Sequence, residues 1–325
     1  MKKIVCFAFW FGNSLPKNFP IWLRTAGFNT DIDFIIFSNI NSSDILPDNV
    51  KIINIEYVDF EKKIMTYFGE SEHYDNPYKI CETRPFWGEI FSDIVQPYEF
   101  WGTIDLDIVM GNIRHFITDD VLERFDRILT RDHLSLYRVS SHLSNLLLKH
   151  GFSDIPEINE VLKMKEVFAF GEWPGASTIF SRLQVAQYDE KIVDDIWHLK
   201  KNLTKSDVIW LNKKNKKKIK ASNYVFLWDG GQLIEIHKVN GKLVKKEIAY
   251  IHLQKRVMTL INVVGHFQKM LIIPNKYVVI DNMTDAEIEK VINKGLTTQL
   301  FYRNYFEIKM NHLWKRVKNV KLLRI

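Results

Sequence analysis

Apolar and polar positions fall into blocks that read as strand, helix, strand from the first residues onward. Ile4 to Phe9 is an unbroken apolar run of strand length, closed by the loop Trp10-Phe11-Gly12-Asn13-Ser14. Pro20 to Ala26 begins a helix with Gly27 near its end. Asp33 to Ser38 and Val50 to Ile55 follow as strands. Arg84-Pro85 opens a helix with Phe86, Ile90, Phe91 and Ile94 on one face, and Pro97 stops it. The apolar run Phe100 to Ile104 comes directly after. A helix is expected from about Thr118, where Asp119 and Asp120 suit its N-terminus. Leu134 to Val139 reads as a strand, and His142 to Lys149 as a helix with Gly151 at its cap. Tyr224 to Trp228 and Leu233 to His237 pair around Asp229-Gly230-Gly231, and Asn240-Gly241 marks a second hairpin leading to Ile248 to His252. Thr284 and Glu287 frame a capping box. Leu313 to Ile325 repeats apolar residues at helical spacing among lysines and arginines. The fold class expected is α/β: a doubly wound, mixed, mostly parallel sheet flanked by helices. One large domain over residues 1–256 is expected, followed by a partly helical, basic extension over 257–325.

Composition narrows the setting more than the function. With 325 residues, 46% of them hydrophobic, the chain can bury a large core. A net charge of +6 suits an anionic substrate or surface and selects neither. Cys6 and Cys81 stand in apolar surroundings with no disulfide or zinc spacing, and read as reduced residues of a cytosolic protein. No signal peptide and no apolar run near the ~20 residues of a membrane span is visible. No Gly-x-Gly-x-x-Gly follows the first strand and no P-loop is present, so two phosphate-binding devices are excluded.

The chemistry centres on Phe100-Trp101-Gly102-Thr103-Ile104-Asp105-Leu106-Asp107, where a buried strand delivers two carboxylates. Burying unpaired carboxylates costs several kcal/mol each, so a counter-charge is required. Mg²⁺ or Mn²⁺ is the natural choice, since hard cations take carboxylate oxygen and share it with phosphates. Asp31-Ile32-Asp33 is a second Asp-x-Asp and serves as an internal control. Ligands in open α/β sheets gather beyond the carboxyl ends of strands. Asp31 and Asp33 stand at the start of their strand, Asp105 and Asp107 at the end of theirs. Lys79 and Arg84, one helix earlier, could bring positive charge to the same edge.

Together, Tyr78-Lys79, Arg84-Pro85 and the Asp105-Leu106-Asp107 segment resemble GT-A fold glycosyltransferases, in particular a poorly characterised bacterial group linked to capsular or surface polysaccharide synthesis. The resemblance covers about residues 1 to 256. It implies a GT-A-like, Rossmann-type domain that moves a sugar from a nucleotide-sugar donor, UDP-linked in this expectation, to a glycan or lipid-linked acceptor. It implies Mn²⁺ or Mg²⁺ on Asp105 and Asp107, completed by His252 in Tyr250-Ile251-His252-Leu253-Gln254-Lys255-Arg256. It also implies nucleoside contacts from Phe9, Trp10, Phe11 and Gly12, and phosphate contacts from Lys79, Arg84, Lys255 and Arg256. Two departures stand out: Ser38-Asn39 where relatives often carry an acidic residue, and Glu82 where they tend to have Asp.

Glu172, in the loop Glu172-Trp173-Pro174-Gly175-Ala176-Ser177, is the candidate base or acceptor-hydroxyl partner, with Trp173 placed to stack on a sugar. Asp194, Asp195 and Trp197 form a weaker acidic-aromatic candidate. A cytoplasmic protein is expected, and its basic C-terminal helix could either rest on the anionic inner face of the membrane or pack on the domain with a solvated basic face. No nucleic-acid partner is expected. The competing readings are a metal-dependent phosphoesterase and a non-catalytic protein that binds polyanions or membrane.

Overall fold

The computed structural model describes residues 3–69, 77–172, 174–198, 200–207, 223–254, 256–261 and 266–297. The first eight strands are β1 (Ile4–Trp10), β2 (Ile32–Ser38), β3 (Val50–Asn54), β4 (Phe100–Ile104), β5 (Ile108–Met110), β6 (Arg127–Arg131), β7 (Leu134–Arg138) and β8 (Gln187–Tyr188). The next eight are β9 (Val193–Asp195), β10 (Tyr224–Asp229), β11 (Gln232–Val239), β12 (Lys242–Glu247), β13 (Tyr250–His252), β14 (Thr259–Ile261), β15 (Lys269–Ile273) and β16 (Lys276–Val279). They belong to two compact units. One comprises residues 1–106 and 114–191, the other residues 107–113 and 192–325. The division expected after residue 256 falls inside the second unit.

The first unit is built on a seven-stranded sheet in the order β3-β2-β1-β4-β7-β6-β8. Its strands β1 to β4 run parallel, and β7 turns back antiparallel against both β4 and β6. β1 is apolar throughout because both faces are covered; Ile4, Val5, Cys6, Phe7 and Ala8 are all buried. Gly102 lets β4 approach β7, since a Cβ there would stand 2.4 Å from the Ser135 carbonyl oxygen. The helix Tyr57–Phe68 was not expected from the sequence; it buries only Phe60 and Ile64, a stripe thin enough to be hidden among its charges. One helix expected from Arg84 is instead a 3₁₀ stretch, Pro77–Phe86, followed by two short turns, Trp87–Ile90 and Ser92–Val95. Phe7, Phe37, Phe60, Trp87 and Phe91 form an aromatic core beside these elements.

The second unit holds a six-stranded sheet, β12-β11-β10-β15-β16-β14, and a three-stranded one, β5-β13-β9. Both expected hairpins are present, β10 with β11 and β11 with β12. Asn240 and Gly241 take the positive φ values, 51° and 79°, that such a tight turn demands. Residues 269–279 contribute β15 and β16 to this sheet. The segment expected to be a partly helical extension thus also supplies strands to this sheet, with Met270, Leu271, Ile272 and Ile273 buried, ahead of its helix. The capping box is formed, with Thr284 and Glu287 bonded reciprocally ahead of the helix Asp285–Thr297. Only the first sheet is mostly parallel; the six-stranded sheet is antiparallel apart from the β14–β16 pair. The lysine-rich stretch 213–220 and the C-terminal helix expected over 313–325 lie outside the described residues.

Candidate functional site

In the first unit, β2 and β3 extend from one side of β1 while β4 lies on its other side. The chain thus reverses its travel across the sheet between β1 and β4, and crevices for ligands form beyond strand ends at such a point. Two candidate stretches stand at that edge, the loop after Trp10 and Asp105. The control pair lies at the other edge. There Tyr98 donates to Asp33 Oδ2 at 2.8 Å, and burial together with that carboxylate pushes the Tyr98 phenol up to about 12.

Asp105 extends the ladder one step beyond β4, its N–H donating to the His133 carbonyl at 3.0 Å. Its own carbonyl accepts from Trp22 Nε1, and that of Leu106 from Asn18 Nδ2. Arg84 binds its carboxylate, with Nη2 2.6 Å from Oδ1, and Nη1 donates to the Asp132 carbonyl at 3.1 Å. Burial alone would lower the Arg84 pKa. The charges of Asp105, Cys81 and Asp132 and the hydrogen bond to Asp105 hold it above its ordinary value instead. Asp132, in the turn between β6 and β7, is 4% exposed. Burial, opposed by Arg84 and reinforced by Glu172, pushes its carboxyl up to about 7. Gly171 makes room for it, since a Cβ at that position would stand 1.9 Å from Asp132 Oδ2.

Lys79 is not at this edge as a phosphate contact. It is fully buried, and its ammonium donates to the carbonyls of Val161 at 2.8 Å and Glu166 at 2.6 Å. Glu82 stands 3.9 Å away and accepts from the N–H groups of Phe168 and Phe170. The two charges pin residues 161–170, which is a structural task. Phe9 is also engaged, packed against Phe37, Phe60 and Trp87 with ring centroids 4.7, 4.3 and 4.1 Å away. Phe11 meets Tyr57 and Phe60. Both rings are half-buried against this aromatic core. Trp10 Nε1 donates to the Ser14 carbonyl, and Gly12 is tied to Asn39, its N–H donating to Oδ1 while its carbonyl accepts from Nδ2. Ser38-Asn39 thus stabilises the loop after β1 from the neighbouring strand. Glu172 is exposed. Its loop is held by Arg127, a wholly buried arginine. Arg127 donates to Ser177 Oγ, Gln187 Oε1 and the Gly171 carbonyl at 3.0, 3.2 and 3.2 Å. Trp173 lies outside the described residues.

In the second unit, β13 lies between β5 and β9. The register sets His252 opposite Ile108 on one side and Asp195 on the other. Asp107 immediately precedes β5, and its carbonyl accepts from the Leu253 N–H at 3.0 Å. His252 Nε2 lies 3.2 Å from Asp107 Oδ1, and Nδ1 lies 2.9 Å from Asp195 Oδ1. Adjacent ligands about 2.1 Å from an octahedral cation stand about 3 Å apart, so the Asp107 and His252 donor atoms suit one Mn²⁺ or Mg²⁺. Burial and the Asp107 charge raise the Tyr277 phenol pKa. Asp194 turns to the other face of β9 and meets Lys205 at 2.7 Å. Burial and a hydrogen bond with Glu235 raise its carboxyl pKa against the pull of Lys205. Arg256 is buried, donating to Asn275 Oδ1 and the carbonyls of Trp197 and Lys201, so its fork is spent on structure rather than phosphate. Lys255 lies outside the described residues.

From the sequence, Asp195 is only a weak acceptor-side candidate, and nothing marks Asp132, Arg127 or Gln254 for a role. Their one signal was polarity beside apolar runs. Their partners lie far off in the chain; Asp195 and His252 are 57 positions apart.

The sheets and helices define an α/β protein. The chain belongs to a family of unknown function, DUF6625, whose sequence profile matches residues 6–282. Among curated proteins none matches it. Among the described residues, no helix is long and apolar enough to cross a membrane.

Proposed function

We propose that the chain is a metal-dependent glycosyltransferase of GT-A type, transferring a sugar from a UDP-linked donor to a glycan or lipid-linked acceptor of surface polysaccharide. The observation that carries the reading is the order β3-β2-β1-β4, with Asp105 directly past the carboxyl end of β4 at the reversal point. Asp107 follows two residues later, and covalent geometry alone keeps the two Cα atoms within about 7 Å. Asp107 and His252 are the proposed metal ligands, with Asp105 the other carboxylate of the motif. When bound, the cation would act as a Lewis acid on the departing diphosphate.

The protein's own groups do the rest. Arg84 holds Asp105 in one orientation and keeps its charge at any working pH, since a guanidinium does not deprotonate. The Gly12 loop, braced by Asn39, offers backbone groups to the nucleoside. Glu172, exposed on a loop fixed by Arg127, faces the acceptor in this reading. Cytoplasmic placement at the inner face of the membrane belongs to the same proposal.

Thermal melts with a panel of nucleotides and nucleotide sugars, with Mn²⁺ or with chelator, test it. A UDP-sugar should stabilise the wild type only when Mn²⁺ is present, and Asp107→Asn should lose the effect. If no nucleotide stabilises the wild type in a metal-dependent way, the proposal fails. Metal-dependent release of phosphate from simple esters would favour the phosphoesterase instead.

A further inference from the structure

His252 has two ring nitrogens, and each faces a carboxylate. Nδ1 is 2.9 Å from Asp195 Oδ1, and Nε2 is 3.2 Å from Asp107 Oδ1. An ionised carboxylate only accepts, so a neutral imidazole can satisfy one of them and must turn a lone pair toward the other. The surroundings favour Asp195 as the acceptor. Its contact is the shorter. It stands opposite His252 in the parallel ladder of β9 and β13, where the backbone fixes both ends. Its two oxygens are further held by Gln254, whose Nε2 lies 3.0 Å from each and 3.1 Å from Ser206 Oγ. Gln254 Oε1 in turn meets His198 Nδ1. Gln254 occupies left-handed backbone, φ 52°, a conformation that costs a non-glycine residue energy and persists where the surroundings enforce it.

We infer that Asp195 is a positioning residue for the proposed metal site: it accepts the Nδ1–H of His252, and so fixes the tautomer whose bare Nε2 points toward Asp107. Gln254 is the strut that keeps Asp195 in place. Histidines that bind metals are oriented in this way by a carboxylate on the far nitrogen, and loss of that partner lowers metal affinity 10–100-fold. The inference rests on the metal reading above for its purpose, while the tautomer itself can be read without any metal.

The test uses the full chain, labelled with ¹⁵N and free of metal, at a pH where the ring is neutral. Long-range ¹H–¹⁵N correlations of His252, assigned by their loss in His252→Gln, should show a protonated Nδ1 and an unprotonated Nε2. A neutral ring with its proton on Nε2 overturns the inference with no variant needed. Mn²⁺ titrations followed by electron paramagnetic resonance should then show Asp195→Ala binding 10–100-fold more weakly. Asp195→Asn, which keeps an acceptor oxygen for Nδ1–H, should lose less. Wild-type affinity in Asp195→Ala overturns the inference. A wild type with the expected tautomer that binds no Mn²⁺ counts against the metal reading alone and leaves the positioning role supported.

Discussion

Asp105 and Asp107 are separated by one residue, yet they meet opposite chemistries. Asp105 belongs to the first unit, where Arg84 holds it at 2.6 Å. Asp107 belongs to the second, where its partner is His252 at 3.2 Å. A guanidinium is permanently charged, so the Asp105 carboxylate is compensated under all conditions. An imidazole whose Nδ1–H is given to Asp195 offers Asp107 a lone pair rather than a charge. In the proposed metal reading, the first carboxylate already has its counter-charge in Arg84, and the second is the one presented to the cation. An Asp-x-Asp motif in this protein is two different half-sites joined by a leucine.

The largest expected effect tests the compensated half. Arg84→Ala strips the cation from Asp105 and from the buried Asp132, and breaking a pair of this kind costs about 4 kcal/mol. Urea unfolding should show that loss as a lower midpoint with unchanged slope. A change below about 1 kcal/mol would mean that Asp105 is compensated in another way, and the contrast with Asp107 would collapse.

Asp132 comes next and has a definite sign with pH. Its carboxyl titrates at about 7 in the fold, against about 3.9 in an unfolded chain. Between those values the folded state holds the proton more firmly, so this group's contribution to stability falls as pH rises and is lost above about 7. Asp132→Asn cannot ionise. It should therefore gain on the wild type by roughly 3 kcal/mol between pH 4 and pH 8, read from melts across that range. Parallel pH curves for the two proteins would show that Asp132 stays ionised beside Arg84.

The third expectation sets the half-sites against each other. Asp107→Asn should weaken Mn²⁺ binding about 100-fold, and Asp105→Asn clearly less, because Arg84 already holds the Asp105 carboxylate while Asp107 stands beside the proposed ligand His252. The reverse order in a Mn²⁺ titration would move the metal to the Arg84 side and undo the comparison.

Much of the contrast was hidden in the sequence for physical reasons. The strands of the first sheet were legible because burial on both faces writes them as apolar runs, as in Ile4 to Trp10. The hairpins were legible from turn chemistry at Gly230 and Gly241. β6 was not, because Arg127, Thr130 and Arg131 interrupt it with residues that normally mark a surface, and the acceptors on Gly171, Ser177 and Gln187 that let Arg127 be buried lie 44 to 60 positions away. The spacing of Asp105 and Asp107 was visible, and Arg84 and His252 stood among the candidates, but which of them meets which carboxylate was not. Lys79 and Arg84 look alike as nearby cations, and only tertiary packing sends one to the carbonyls of Val161 and Glu166 and the other to Asp105. Asp195 became significant only through the β9–β13 pairing, which local pattern does not encode.

The smallest effect concerns the strut behind the second half-site. Gln254 sits at φ 52°, where glycine is at ease and other residues pay roughly 1 kcal/mol. Its amide binds Asp195 and Ser206, and losing such bonds costs about 1–2 kcal/mol. Gln254→Gly loses the bonds but relieves the backbone, so its stability should stay within about 1 kcal/mol of wild type. Gln254→Ala loses the bonds and keeps the strained backbone, and should be less stable than the glycine variant by roughly 1 kcal/mol. Both should bind Mn²⁺ equally weakly, by a smaller factor than Asp195→Ala, because Asp195 remains but is less firmly held. Equal stability of the two variants would show that the left-handed backbone carries no strain. Wild-type affinity in both would show that the β9–β13 ladder alone orients Asp195, and the second half-site would then owe its geometry to the sheet rather than to the residue after it.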